Sequence, residues 1–143
     1  MAESQELRAG PLRLFFADGD LRRIFLGERE VLRRVYVAVR DRNWGTLPAR
    51  LENLSVQRHA RHFSITFDAL HREGGIDFRW RATILGAEAG KITFAMDGKA
   101  HSTFLRNRIG FCVHHPLKEC AGRPCVVEKT NGRRERGVFP EFV

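Results

Sequence analysis

The feature that most constrains the fold of this chain is a strict alternation of apolar and polar residues from position 76 to position 84. Ile76, Phe78, Trp80, Ala82 and Ile84 alternate with charged or polar residues, so an extended chain would send all five apolar side chains to one face. No segment of helical length keeps the i, i+3, i+4, i+7 apolar spacing of an amphipathic helix. The pattern therefore predicts a β protein.

The same alternation recurs along the chain between Gly, Pro, Asn and Asp turns. It predicts strands at 12–16, 21–26, 35–39, 63–67, 76–84, 92–96, 105–114 and 125–129. The apolar, turn-like end at 137–143 is either a terminal strand or the start of a further unit. Eight or nine short strands in 143 residues predict a single all-β domain over residues 1–143, an antiparallel β-sandwich or open barrel.

The apolar runs are only a few residues long, far below the roughly 18 residues of a membrane span. Residues 1–6 carry neither a basic start nor an apolar stretch of the kind that directs secretion. We therefore expect a cytoplasmic protein without a membrane partner.

The net charge is +8, and 21 of the 25 basic residues are arginines. Such a domain should attract carboxylates or phosphates. The arginines are scattered, whereas a nucleic-acid groove is typically a basic block with interleaved aromatic residues. The spacing therefore favours solvated arginines on strand faces, and an arginine-rich nucleic-acid-binding module is the less favoured alternative.

Three polar side chains share one face of the predicted strand 105–114, namely Arg106, Arg108 and His114. Two guanidinium groups two residues apart could hold a carboxylate or phosphate through forked hydrogen bonds. The alternative is that both arginines pair with acids on neighbouring strands, such as Asp77 or Asp97.

Trp44 lies in the most distinctive predicted loop, 41–48, beside polar residues that could contact a sugar ring together with it. The alternative is that its indole fills the core. Paired carboxylates in the sequence occur in predicted turns, so no catalytic acid or base is assigned.

Five thiol and imidazole side chains lie within fourteen residues: Cys112, His114, His115, Cys120 and Cys125. Their spacing lacks the paired repeat of structural zinc sites, and the odd number of cysteines disfavours a disulfide framework. We predict no metal, no cofactor and free thiols.

Segments 32–46 and 106–116, with 7–24 and 121–125, resemble the N-terminal β domain of the D-apionate lactonase family. This resemblance implies a bacterial hydrolase that opens a sugar-acid lactone in branched-pentose catabolism. It also implies longer family members in which a barrel-like domain follows this one. The chain is thus predicted to be the N-terminal portion of such a protein, truncated from its catalytic domain and inactive alone.

The resemblance implies a sugar-acid ligand held by Arg106 and Arg108, followed by His114 and Trp44. It matches no catalytic residue to a position in this chain. The expected partner is the missing C-terminal catalytic domain, or a second copy bound through an apolar face. The alternative is a self-sufficient, mutarotase-like carbohydrate or lactone enzyme.

Overall fold

The computed structural model describes residues 3–141, which form two antiparallel sheets packed face to face together with a small C-terminal hairpin. This arrangement confirms the predicted all-β class. Within residues 3–141 no helix has the length and apolar character that a membrane crossing requires.

Eleven strands and one short helix follow one another in the described part of the chain. They are β1 (Gln5–Ala9), β2 (Leu12–Ala17), β3 (Asp20–Leu26), β4 (Arg29–Asp41), β5 (Arg50–Arg58), β6 (Phe63–Glu73), β7 (Ile76–Ala87), β8 (Lys91–Ala100), β9 (Arg106–His114), α1 (Leu117–Cys120), β10 (Pro124–Glu128) and β11 (Arg134–Val138).

The five-stranded sheet has the order β1-β2-β3-β4-β9, and the four-stranded sheet has the order β5-β6-β7-β8. Almost every pair of neighbours is also consecutive in the chain, as in a meander. The exception is β9, which returns to pair with β4 after the whole four-stranded sheet has been formed. The β10–β11 hairpin stands apart from both sheets.

The sequence did not predict three of the strands, β1, β5 and β11, and each of them lacks a regular alternation of apolar and polar residues. β1 buries only Leu7 and Ala9, and β11 is exposed along its whole length. In β5 the register shifts between residues 52 and 55, where Asn53 adopts a positive φ of 53° and breaks the period of two. The last two residues of the apolar end, 142–143, lie outside the described residues.

A chain of aromatic rings crosses the core from one sheet to the other and back. Phe16 of β2 lies 6.1 Å from Phe67 of β6, and Phe67 lies 5.3 Å from Trp80 of β7, measured between ring centroids. Trp80 is followed at 6.4 Å by Phe94 of β8, which meets Phe111 of β9 at 5.0 Å. These tilted and edge-on contacts connect strands on both sides of the sandwich.

His71 is the buried imidazole of the core, and both of its ring nitrogens have partners. Its Nε2 accepts a hydrogen bond from Trp80 Nε1 at 2.9 Å, and its Nδ1 lies 3.1 Å from the Leu47 carbonyl oxygen. Since an indole N–H can only donate, the proton of a neutral His71 sits on Nδ1 and points to Leu47. Burial lowers the pKa of His71, and the hydrogen bond to Leu47 partly opposes this effect.

Gly10 joins β1 to β2 at a point where two backbones touch. Its N–H donates to the Arg61 carbonyl at 2.8 Å, its φ is +56°, and a Cβ would overlap the carbonyl oxygen of Glu88. Gly27 has a similar φ of +62°, but a Cβ there would meet open space. Of these two glycines, only Gly10 lies where a side chain would clash with another part of the backbone.

We predict that Gly10→Ala lowers the free energy of unfolding by about 3 kcal/mol or more, because a strained φ is combined with a clash against backbone. Gly27→Ala introduces the strain alone and should cost only about 1 kcal/mol. Urea denaturation followed by Trp fluorescence measures both values. Equal losses in the two variants would show that the close approach to Glu88 is unimportant.

We also predict that the fold loses stability as the pH falls below about 6.5, the pKa of an unperturbed histidine. The folded pKa of His71 is lowered, so the unfolded chain takes up a proton at a higher pH than the folded chain does. Denaturation of the wild type and of His71→Gln between pH 5 and 7.5 tests this. The variant should show the weaker pH dependence over this range, and parallel curves would contradict the assignment.

Candidate functional site

The candidate site lies where the end of β4 meets the beginning of β9, on the outer face of the five-stranded sheet. Arg40 of β4 is the direct cross-strand partner of Arg108 of β9, and Asp41 is the partner of Arg106. We call Arg40, Arg42, Arg106, Arg108 and Trp44 the Trp44 corner.

The loop after β4 folds back onto its own strand because Asp41 holds it. The Asp41 carboxylate accepts the N–H groups of Asn43 at 2.8 Å and Gly45 at 2.9 Å, and the Asp41 N–H donates to the Gly45 carbonyl at 2.9 Å. Thr46 then forms a bridge with Arg40, whose Nη1 lies 2.7 Å from the Thr46 hydroxyl oxygen. This tight turn is the local reason that the loop stands beside the arginines.

Trp44 sits at the tip of this turn with an exposed fraction of 56% and a φ of +66°. A positive φ is unusual for a bulky residue and marks a conformation that the surroundings impose. The guanidinium carbon of Arg108 lies 5.9 Å from the centre of the indole ring. The alternative that Trp44 fills the core is therefore wrong, and the ring is available to a ligand.

None of the arginines of this corner forms a salt bridge within residues 3–141, and Asp41, the cross-strand partner of Arg106, uses its carboxylate to accept the N–H groups of Asn43 and Gly45. Asp77 pairs instead with Arg79 at 3.0 Å and lies 3.9 Å from Arg72. Asp97 is the cross-strand partner of Arg81. Like charges directly opposite one another on a sheet repel, so Arg40 and Arg108 destabilise each other, and the single carboxylate of Asp41 leaves the corner with an excess of positive charge.

His114 belongs to a different place on the sheet. It lies six residues beyond Arg108 on β9, about 20 Å away along the strand. Its ring meets Tyr36 edge-on at 5.4 Å, and its cross-strand partner is Arg34. The structure therefore brings Arg106, Arg108 and Trp44 to one corner and leaves His114 outside it.

Cys112 also faces this outer surface, half-buried and opposite Tyr36, whose pKa is raised by burial and by a hydrogen bond to Cys112. All three cysteines are free thiols. Within the described residues, no three His, Cys, Asp or Glu side chains come close enough together to hold a metal ion.

Sequence reasoning missed Arg40 as a member of the corner and Thr46 as its hydrogen-bond partner. Arg40 does follow the alternation of β4, so its face could be read from the sequence. Its pairing with Arg108 could not be predicted, because Arg108 lies 67 positions after Asp41, the last residue of β4.

The fold and the corner define an all-β domain with an exposed cluster of arginines, and comparison with known proteins gives its family. Residues 1–143 match the family described as D-apionate lactonase, N-terminal domain. The chain belongs to this family, which confirms the resemblance noted in the sequence.

One curated relative is the D-apionate lactonase of Brucella anthropi, which is 35% identical over 145 residues. The match covers 99% of this chain and 24% of that protein, so the chain spans about a quarter of the length of its relative. Among solved structures, none matches the chain.

We predict that Arg108→Glu raises the free energy of unfolding by about 0.2–1 kcal/mol at low salt, because it turns a repulsive pair with Arg40 into an attractive one. Arg81→Glu is the matched control. Because Arg81 lies opposite Asp68 and Asp97 on its two neighbouring strands, a glutamate there would repel both acids, and this variant should lose stability. Both effects should shrink in 1 M NaCl, where charges are screened. Loss of stability in both variants would contradict the repulsion at the corner.

Proposed function

We propose that this chain is the N-terminal accessory β domain of a cytoplasmic bacterial hydrolase, similar to D-apionate lactonase, that opens sugar-acid lactones. The observation that carries the proposal is the match of the whole chain to one quarter of a D-apionate lactonase. In this proposal, the groups that activate water and stabilise the lactone oxyanion belong to the remaining three quarters of such a protein. The domain supplies a packing surface and a ligand-facing corner.

A groove at one end of the sandwich supports the packing role. It has a volume of about 560 Å³ and lies between the end of β9, α1 and the segment after β11. Val113, Leu117 and Phe139 contribute apolar surface to it, and Val113 and Leu117 are 47% and 58% exposed. Burying a fully exposed Val or Leu side chain contributes about 1.5–3 kcal/mol, so covering these half-exposed ones would contribute about half of that each. We infer that the catalytic unit packs here.

The Trp44 corner supports the ligand role. Hydrolysis of a lactone converts a neutral ring into a hydroxy acid, whose carboxylate is a good acceptor for a guanidinium fork. Arg106 and Arg108 would hold that carboxylate or the hydroxyl groups of the sugar acid, and the exposed face of Trp44 would pack against the carbon chain. Because Arg40 and Arg108 lack acidic partners in the described chain, an anion at the corner would relieve their repulsion.

A chimera tests the proposed function. The matching quarter of the Brucella anthropi lactonase is replaced by this chain, and hydrolysis of the lactone of D-apionic acid is followed by acid release in a pH-stat. We expect the chimera to be active and the isolated chain to show no turnover above buffer. Turnover by the isolated chain would instead support a self-sufficient enzyme, and a folded but inactive chimera would contradict the lactonase role.

The packing role has its own control in the same chimera. Val113→Asp should reduce activity by about tenfold or more, because a carboxylate would have to be buried in the interface. Leu85→Asp is the matched variant, since Leu85 is 48% exposed on β7, outside the groove, and activity should be retained. Sedimentation of the isolated chain distinguishes packing against a catalytic unit from pairing of two copies. A groove-dependent dimer would favour self-association.

A further inference from the structure

A second cluster of arginines lies at the other end of the outer face of the five-stranded sheet. It lines an open cleft of about 610 Å³, which we call the Asp20 cleft after the carboxylate that organises it. The lining residues are Ser4, Phe15, Arg22, Arg23, Arg33 and Arg34. Phe15, Arg22 and Arg34 form one row across the sheet, because Phe15 pairs with Arg22 and Arg22 with Arg34.

Asp20 is a buried acid that holds two of these arginines at once. Its Oδ2 accepts hydrogen bonds from Arg34 Nε at 2.7 Å and from Arg22 Nη2 at 3.1 Å, and it lies 2.6 Å from Arg34 Nη2. The guanidinium carbon of Arg34 also lies 3.8 Å from the centre of the Tyr36 ring. Both the carboxylate and the ring therefore fix the plane of the Arg34 guanidinium.

Glu30 holds Arg33 in a similar way. Its Oε2 accepts a hydrogen bond from Arg33 Nη2 at 3.0 Å, and its Oε1 forms an ion pair with Arg33 Nε at 2.7 Å. The side chains of Asp20 and Glu30 are only 10% and 11% exposed, whereas those of Arg34 and Arg33 are 37% and 55% exposed. The acids thus lie deep, and the guanidinium groups that they orient reach the solvent side of the cleft.

The held arginines keep unused donors. A guanidinium has five N–H groups, and Arg34 directs only Nε and Nη2 at Asp20, so its Nη1 group remains available. Arg23 adds a fourth charge, with no carboxylate partner within residues 3–141, and its φ of +51° is a rare conformation for a long side chain. Oriented donors above buried acids, next to an unpaired cation, are the elements of a preorganised anion site.

We propose that the Asp20 cleft binds a small ligand through an oxyanion, a carboxylate or a phosphate group, which Arg22 and Arg34 grip while Phe15 covers the apolar part of the ligand. Arg23 and Arg33 add charge at its rim. The site is separate from the Trp44 corner, because Arg34 and Arg40 lie six residues apart on β4, about 20 Å. It is also independent of the lactonase role, since its argument uses only the contacts around Asp20 and Glu30.

Arginine side-chain NMR tests the proposal on the whole chain. The Nε–Hε signals are followed while inorganic phosphate is added in one titration and D-gluconate, a linear sugar acid, in another. We expect a saturable shift of the Arg22 and Arg34 signals with at least one probe. The tighter of the two probes distinguishes a phosphate ligand from a carboxylate ligand.

Three variants connect binding to the geometry. Arg34→Gln should weaken binding about tenfold or more, and Arg34→Lys, which keeps the charge but not the fork, about threefold or more. Asp20→Asn keeps every arginine but weakens their anchor, so it should weaken binding to a similar extent as the lysine variant. Arg133→Gln removes an exposed arginine of the C-terminal hairpin, which pairs with Glu135 at 3.7 Å, and should leave the affinity within about twofold.

Circular dichroism identifies any variant that fails to fold, and Arg34→Lys then carries the test because it is the mildest change. The proposal is overturned if neither probe gives a saturable shift. It is also overturned if Arg133→Gln weakens binding as much as Arg34→Gln, since the attraction would then come from net charge and not from the cleft.

Discussion

The alternation of β4 is the constraint on which the rest of this structure depends. Over thirteen residues this strand sends Val35, Val37 and Val39 toward the core and places polar side chains on the outer face of the sheet. Its first half pairs with β3 and its second half with β9, so it is the seam between the N-terminal strands and the returning end of the chain. A slip of one residue in either pairing would move the valines to solvent and the arginines into the core.

Both arginine clusters follow from this one strand. Arg34 lies where β4 still pairs with β3, so it meets the buried Asp20 that begins β3. Arg40 lies where β4 pairs with β9, so it meets Arg108 and no acid. The same residue type on the same face therefore has two electrostatic environments. At one end a buried carboxylate pairs with the arginine and orients it, and at the other the arginine forms no salt bridge within residues 3–141.

The strand content of the fold was readable from the sequence because most strands bury one face. The alternation from Ile76 to Ile84 became β7, and the predicted strand at 125–129 became β10, which a turn at Asn131-Gly132 joins to β11. Strands that bury little surface, such as β1 and β11, show no apolar alternation in the sequence and were not predicted. The pairing of strands far apart in the chain, such as β4 with β9, could not be predicted, because a period of two shows which face a residue occupies but not which distant strand lies beside it.

For the candidate sites too, the sequence predicted which face a residue occupies but not which residues lie together. Arg106, Arg108 and His114 do share the predicted face of β9, but the extended chain carries His114 about 20 Å from Arg108, so a shared face did not make a shared site. The scattered arginines in the sequence suggested a solvated surface. Folding gathers them beside aromatic rings, and within residues 3–141 the Arg34–Tyr36 and Arg108–Trp44 stacks both lie on the outer face of one sheet.

The distance between the two clusters determines how they can act. Charges in water are screened over about 8 Å at physiological salt, which is less than half of the roughly 20 Å between Arg34 and Arg40. An anion at one cluster therefore changes the potential at the other very little, and each has its own affinity. The rigid strand between them fixes only their spacing. If both proposed sites bind anions, the spacing therefore suits two separate anions or the two charged ends of one extended molecule.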